Sequence, residues 1–224
     1  MTKLENPGLP VVYGAPYSVY VRIVRLTLEE KSVEYELQDV DIFAESRSDN
    51  TIALRHPFLK IPTFAHNDFD LYETAAITRY IDETFPESPL TPDNITNRAR
   101  MNQIISILDN YAYPSWVWGL YVELVSNPEE KLPTDKNRLD KAIDESARCL
   151  KAITDLRIDN GPYLMGSTFT LADIYAIPMY AYLTITDMGR DMVDQTWWSG
   201  WWETVQSRES VIKTQFPREN RNHQ

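Results

Sequence analysis

Apolar and polar residues repeat with two different periods along the first part of the chain. Residues 33–40 alternate every second position, which is typical of a half-buried strand. In residues 18–30 the apolar positions recur every third or fourth residue, which predicts a helix with one buried face. Residues 9–14 are a short β-forming run that ends at a glycine. The order strand, helix, strand predicts a parallel pair joined by a right-handed crossover.

The same patterns continue to residue 85. Residues 47–54 indicate a short, polar, irregular helix. Residues 62–65 and 69–72 indicate two strands of a hairpin, and residues 74–84 a helix with a buried stripe. We therefore predict an α/β domain over residues 1–85 with the element order βαβαββα.

Beyond this domain the pattern becomes purely helical. A proline-rich stretch predicts a linker at residues 86–94, and helices are predicted near residues 95–125, 135–156, 170–187 and 196–207. Thr170 and Asp173 form a capping-box pattern at the start of the third of these helices, which we interpret as a structural feature. An all-helical domain over residues 95–224 is therefore expected, so the fold class is α/β followed by all-α.

Composition excludes several classes of function. The formal net charge of −11 is unfavourable for coating nucleic acid or an anionic membrane, since both need a basic surface. No apolar run approaches the roughly 20 residues of a membrane span. The single cysteine, Cys149, excludes an intrachain disulfide and favours a reducing, cytoplasmic location. The three histidines lack ligand spacing, so we predict no metal site.

Several motifs stand together in a specific order and spacing. They are the turn from Tyr13-Gly14 to Ser18, Lys60-Ile61-Pro62, Glu73-Thr74 followed by Ala76-Ile77, the 170–173 capping box, and residues 202–214. In this arrangement the chain resembles the cytosolic glutathione transferase family, in a serine-type, bacterial-like form. The resemblance implies a thioredoxin-like first domain that binds glutathione, a helical second domain that binds the acceptor, a homodimer, and a role in detoxification.

The resemblance also implies which residues hold glutathione. Ile61-Pro62 corresponds to the family's cis-proline, which leaves the Ile61 backbone to pair with the cysteinyl part of the tripeptide. Glu73 and Thr74, at a helix start, correspond to the contacts with the γ-glutamyl ammonium and carboxylate. Lys60 and Arg47 correspond to contacts with the glycyl carboxylate, and in each case an ordinary solvated side chain is the alternative.

The catalytic hydroxyl is expected at Ser18. Lowering a thiol pKa by two units from its usual value near 8.5 requires about 2.7 kcal/mol of preferential thiolate stabilisation. A hydrogen bond to a charged acceptor contributes about 1.5–3 kcal/mol, and a helix N-terminus about 0.3–1 kcal/mol. Ser18, in the first turn of the first helix, could supply both. Tyr17 and Tyr13 are the alternatives, and a plain N-cap is the structural interpretation of Ser18.

The acceptor pocket is expected to be apolar and aromatic. Tyr111 and Trp116 belong to an aromatic cluster around Pro114 in the first long helix, and with Tyr17 they are the proposed pocket residues. Core packing is the alternative for each of them. No cysteine lies near the turn at Ser18, which argues against thiol exchange, and Cys149 is expected to be a buried structural thiol.

The reaction implied by the resemblance is attack of a glutathione thiolate on a small electrophilic, mostly apolar acceptor. The alternative is a binding or regulatory module that keeps the fold without turnover. Leu59, where the family usually has glycine, and threonine in place of serine at Thr74 motivate that alternative.

Overall fold

The computed structural model of the chain describes residues 8–40, 42, 55–216 and 218. It divides into two compact units, Met1–Pro89 and Leu90–Gln224. No helix in the described part is both long and apolar enough to cross a membrane. The predicted helix at residues 47–54 lies outside the described residues.

A four-stranded mixed sheet forms the first unit, in the order β2-β1-β3-β4. β1 is parallel to β2 and antiparallel to β3, and β4 is antiparallel to β3, so the predicted parallel pair and the predicted hairpin are both confirmed. The elements are β1 (Val11–Tyr13), α1 (Val19–Glu30), β2 (Glu36–Gln38), β3 (Thr63–His66), β4 (Phe69–Tyr72) and α2 (Thr74–Thr84).

The core of this unit lies between the sheet and its two helices. The apolar stripe of α1 and the stripe of α2 meet the inward side chains of β1 and β3, as their periodicity predicts. The fully buried members are Val12, Val21, Val24, Leu28, Phe64, Ile77 and Ile81. This packing fixes both helix starts against the ends of the strands.

Helices alone make up the regular structure described for the second unit. They are α3 (Ile95–Ile107), a π-helix (Leu108–Ser126), α4 (Asn127–Glu129), α5 (Lys136–Asp155), α6 (Leu171–Ile185), α7 (Asp187–Val193), α8 (Trp197–Val205) and α9 (Glu209–Lys213). The all-helical prediction is therefore confirmed.

The first long helix differs from its prediction. The pattern over residues 95–125 predicts one α-helix with a kink at Pro114, whereas the chain is π-helical from Leu108 to Ser126. Pro114 has no N–H to donate in either kind of helix, so one carbonyl of the preceding turn lacks its helical partner. Ser115 donates its hydroxyl to the carbonyl oxygens of Tyr111 at 2.7 Å and Ala112 at 3.3 Å, which gives these carbonyls another partner.

The capping box at the start of α6 is confirmed and buried. Thr170 and Asp173 bond reciprocally, and both side chains are inaccessible to solvent. The Asp173 carboxylate also accepts hydrogen bonds from Leu164 N at 2.9 Å and Trp201 Nε1 at 3.0 Å. The box therefore ties a preceding loop and α8 to the start of α6.

Candidate functional site

The strand register brings three loop connections to one edge of the sheet. Tyr13 at the end of β1 pairs with Thr63 at the start of β3, and Thr63 also pairs with Tyr72 at the end of β4. The residues that follow Tyr13, precede Thr63 and follow Tyr72 therefore lie at the same edge. These are the turn leading to Ser18, the Ile61-Pro62 pair and the Glu73-Thr74 pair.

Ser18 is the N-cap of α1. Its backbone is extended, with φ −68° and ψ 127°, and its Oγ accepts a hydrogen bond from Val21 N at 3.5 Å. That distance is at the long limit for a hydrogen bond. The half-buried hydroxyl accepts in this contact, so its proton is available to a second acceptor.

Gly14 lets the turn before α1 approach its neighbours closely. A Cβ at this position would lie 2.4 Å from Val21 Cγ2 and 3.2 Å from Ile61 Cβ. Only a residue without a side chain fits between these two groups. The contact places the loop that leads to Ser18 directly against Ile61.

Ile61-Pro62 is a cis peptide bond, as the resemblance implies. Pro62 is buried and precedes β3, whereas Lys60 is exposed. The side chain of Lys60 can therefore reach an anion in solvent next to the Ile61 backbone.

The start of α2 lacks a side-chain cap. Its N-cap is Glu73, which has φ 71° and makes no capping hydrogen bond, and its carboxylate is mostly exposed. The Glu73 carbonyl accepts from Ala76 N at 2.9 Å and Ile77 N at 3.0 Å. The N–H groups of Thr74 and Ala75 lie ahead of this first turn, where a helix has no internal acceptor. A helix start of this kind is chemically suited to an anion, and the exposed Glu73 carboxylate lies next to it.

His56 lies next to the candidate site residue Glu73, and the sequence interpretation missed it. Its side chain is buried, and its Nε2 lies 3.9 Å from Glu73 Oε1. Phe58 N donates a hydrogen bond to His56 Nδ1 at 3.2 Å, so the ring proton of the neutral form is on Nε2, facing Glu73. Burial lowers the pKa of His56, although the nearby Glu73 carboxylate opposes this effect. The sequence signal that could have identified His56 is its position directly before Pro57, in the stretch that leads to Lys60-Ile61-Pro62.

Leu59 occupies the position where the resembling family usually has glycine. Its φ is 54°, in the left-handed region that favours glycine, and its N–H donates to the His56 carbonyl at 3.0 Å. Leucine therefore takes the backbone conformation of a glycine here.

The alternative hydroxyls are placed differently from Ser18. Tyr13 is buried, and the Arg55 guanidinium lies over its ring, 4.3 Å from the centroid. Arg55 also forms an ion pair with Asp70 on β4. Tyr17 is half-buried beside Ser18. Arg47, the remaining predicted contact with glutathione, lies outside the described residues.

The two acceptor residues proposed in the helical unit differ in burial. Tyr111 is exposed, whereas Trp116 has no accessible surface and packs edge-on against Trp198, with ring centroids 6.0 Å apart. Trp116 therefore has the position of a core residue, and the structure gives its pocket role no support. Amphipathic spacing could not separate these cases because the π-helix rotates side chains differently from an α-helix.

Cys149 lies in the core of the helical unit. It is 3% exposed, and burial together with the negative charge of Glu145 raises the pKa of its thiol to about 11. A thiol with this pKa carries almost no thiolate at neutral pH, so Cys149 is unsuited to nucleophilic chemistry.

Comparison with known proteins gives a consistent result over both units. The family model described as "Glutathione S-transferase, N-terminal domain" matches residues 12–89, and the corresponding C-terminal domain matches residues 136–203. Glutathione S-transferase F10 of Arabidopsis thaliana is 30% identical over 205 residues, covering 88% of this chain and 92% of that protein. Glutathione S-transferase F6 of the same plant is 28% identical, covering 90% and 97%.

A solved structure extends the similarity to the fold. Glutathione transferase F2 from Populus trichocarpa superposes with a TM-score of 0.81 at 27% identity, covering 92% of this chain and 96% of that chain. The thioredoxin-like assignment of the first unit and the helical assignment of the second are both confirmed by this match.

Proposed function

Since this chain belongs to the glutathione S-transferase family and is a glutathione transferase, we propose that the hydroxyl of Ser18 activates the thiol of its co-substrate. The reaction is attack of the glutathione sulfur on an electrophilic, mostly apolar acceptor. The observation that supports this role is the position of Ser18 as the N-cap of α1. The one hydrogen bond that its hydroxyl accepts there, from Val21 N, is long at 3.5 Å.

Activation means that the Ser18 hydroxyl donates a hydrogen bond to the sulfur, and keeps its proton, while the thiol loses its own proton to solvent. The thiolate then forms a bond to the electrophilic carbon, and the leaving group departs with its electron pair. A two-unit fall in the thiol pKa corresponds to about 2.7 kcal/mol. A hydrogen bond to the charged sulfur supplies about 1.5–3 kcal/mol of this, and the N-terminus of α1 about 0.3–1 kcal/mol.

The residues at the sheet edge hold the tripeptide. The uncapped start of α2, with the N–H groups of Thr74 and Ala75, binds the γ-glutamyl carboxylate, and Glu73 pairs with the γ-glutamyl ammonium. The backbone of Ile61, ahead of Pro62, pairs with the cysteinyl part. The proximity of Ile61 to the turn before Ser18 supports this arrangement, since Gly14 brings them into contact.

Two further residues complete the binding proposal. Lys60 is exposed beside Ile61 and binds the glycyl carboxylate, with Arg47 as a second contact. His56 acts as a positioning residue, because its Nε2 proton faces Glu73 and limits where that carboxylate can lie.

The finer assignments are part of the same proposal. We assign the enzyme to the serine-type class, and Tyr17 and Tyr111 to the acceptor site. The relatives named above are plant proteins, so they give no support to the bacterial-like form. A cytoplasmic homodimer with a detoxifying role is supported by the family and, for the compartment, by the single reduced cysteine.

Replacing Ser18 by alanine tests the catalytic role. With chlorodinitrobenzene as acceptor we expect kcat/KM to fall by about 10- to 150-fold, the equivalent of a charge-assisted hydrogen bond. The KM for glutathione should change little, and titration of thiolate absorbance should show a higher pKa for bound glutathione. Tyr17→Phe and Tyr13→Phe are the matched controls. Full turnover in Ser18→Ala, with loss in either phenylalanine variant, would transfer the role to that phenol.

A further inference from the structure

The helical unit contains a cavity that the proposed reaction does not use. Its volume is about 480 Å³, and it lies where the end of α6 meets α7 and α8. Cavities of roughly 300–1,000 Å³ are typical of small-molecule sites. All of its lining residues belong to the helical unit, and none is assigned above to glutathione or the acceptor.

Aromatic rings form one wall of the cavity. Tyr180 and Trp202 both line it, with ring centroids 5.2 Å apart and planes tilted by 33°. Behind them Trp198 stacks on Tyr180, with centroids 5.8 Å apart. Because Trp198 is buried, this wall is held in place from the core side and offers an aromatic surface to an occupant.

The hydroxyl of Tyr180 is the unusual polar group in this wall. The side chain is 2% exposed, yet no residue in the described part of the chain forms a hydrogen bond with its hydroxyl. Its oxygen is not one of the fully enclosed side-chain atoms without a partner in the described part of the chain, so it keeps some access to solvent and to a ligand. Burial without such a partner raises the pKa of Tyr180, so the hydroxyl stays neutral and can accept from a ligand donor.

Acidic groups also line the cavity. Asp191, Asp194 and Glu203 line the cavity and are exposed, and none of the salt bridges described for the chain reaches them. Arg190 also lines it, but its guanidinium pairs with Asp187 and donates to the carbonyl oxygens of Thr184 and Ile185. The charge that remains available to an occupant is therefore negative.

We propose that this cavity is a second binding site, for a planar aromatic cation. The ring of the ligand lies on Trp202 and Tyr180, where a cation is attracted to the aromatic face. One ligand N–H donates to the Tyr180 hydroxyl, and the positive charge is balanced by the carboxylates of Asp191, Asp194 and Glu203. The occupant is thus an amphipathic aromatic amine rather than an acidic or neutral compound.

Proflavine, a planar aromatic cation, is a suitable probe for calorimetry with the full chain. We expect one site per chain, with binding that weakens as salt increases. Tyr180→Phe, which removes only the hydroxyl, should weaken binding by about threefold to tenfold. The triple variant D191N/D194N/E203Q should weaken it by about tenfold at low salt while turnover with glutathione stays unchanged.

A second triple variant controls for net charge. D140N/D144N/E130Q makes the same change in charge at exposed positions outside the cavity, and it should bind proflavine like the parent chain. Saturation with S-hexylglutathione should leave proflavine binding intact, because that compound occupies the glutathione site.

Four results would overturn the proposal. They are no proflavine binding up to millimolar concentration, equal loss in both triple variants, displacement by S-hexylglutathione, and equal or tighter binding of the aromatic anion anilinonaphthalene sulfonate. If the cavity triple variant does not fold, Glu203→Gln alone and Tyr180→Phe decide the question, since unchanged affinity in both would equally exclude the site.

Discussion

The helix starts at Thr74 and at Leu171 differ in where their backbone N–H groups find partners. At the start of α6, Thr170 and Asp173 form a complete capping box inside the core. At the start of α2, Glu73 makes no capping hydrogen bond and its carboxylate faces solvent. Both helices carry the same partial positive charge at this end, because that charge comes from the aligned peptide dipoles.

The difference shows what each start is used for. Burial raises the pKa of Asp173 to about 6, while the N–H groups of Leu164, Thr170 and Trp201 oppose this effect, so the carboxylate is ionised at pH 7. All its acceptor capacity is used within the chain, which makes it a folding element. The start of α2 has no such internal anion. A ligand carboxylate can take that place, which is the role proposed for glutathione.

The largest effect is expected from Asp173→Asn. An asparagine turns an NH₂ group toward donors that the carboxylate accepted, and each buried donor left without an acceptor costs about 1–3 kcal/mol. We expect the free energy of unfolding of the helical unit to fall by about 3 kcal/mol. Urea denaturation followed by tryptophan fluorescence measures this, since Trp201 lies in the same network.

Asp135→Asn is the matched control for this change. Asp135 caps α5 by accepting from Asn137 N at 3.0 Å and Arg138 N at 3.1 Å, but it is exposed. Asparagine caps a helix about as well as aspartate does, so little change in stability is expected. Similar losses in the two variants would show that burial at Asp173 adds nothing, and the contrast between the two helix starts would fail.

A smaller effect, on binding and not on folding, is expected from Glu73→Gln. The carboxylate is mostly exposed in the free protein, so we place its contact with the γ-glutamyl ammonium at the low end for charge-assisted bonds, about 1.5 kcal/mol. The dissociation constant for glutathione should therefore rise roughly tenfold. Unfolding should be unchanged, because Glu73 makes no capping hydrogen bond. Calorimetric titration and urea denaturation give the two values.

Glu83→Gln changes the same charge at the other end of α2. Glu83 is exposed and lies in the last turn, so glutathione affinity should stay at the parent value. Should both variants lose affinity equally, the effect would be one of net charge, and Glu73 would have no specific contact with the ligand.

The parts of the site that the sequence predicted are those governed by local rules. Ser18 and Thr74 stand at helix starts that apolar periodicity locates within one residue. The cis bond at Pro62 was expected from the family resemblance and not from a local rule. β2 was predicted too long, over residues 33–40, because alternation continues beyond the three residues that pair with β1.

The missed features depend on contacts between distant residues. His56 reaches Glu73 only because the loop ahead of β3 and the end of β4 meet at one sheet edge. The position of Trp116 depends on the π-helical repeat and on Trp198, 82 residues later in the chain. Neither distance nor burial of this kind is encoded in the spacing of apolar residues along a segment.

The smallest effect is expected from Leu59→Gly, which tests the strained backbone of the ligand-side loop. A left-handed conformation costs a residue with a Cβ about 1–2 kcal/mol, and Leu59 has φ 54°. Glycine removes this cost. It also makes the unfolded chain more flexible, which lowers the free energy of unfolding by roughly 0.5–1 kcal/mol. We therefore expect a net gain of about 0.5–1 kcal/mol in the free energy of unfolding, with glutathione affinity unchanged.

Leu132→Gly distinguishes relief of strain from a general effect of glycine. Leu132 is an exposed leucine in a loop of the helical unit, and it is not among the residues with positive φ. Here glycine adds unfolded-state flexibility without relieving any strain, so stability should fall by about 0.5–1 kcal/mol. Opposite signs at the two positions would show that the amino-terminal loop holds its conformation at a cost in stability. A loss at both would mean that the surroundings of Leu59 stabilise its side chain by more than the backbone strain.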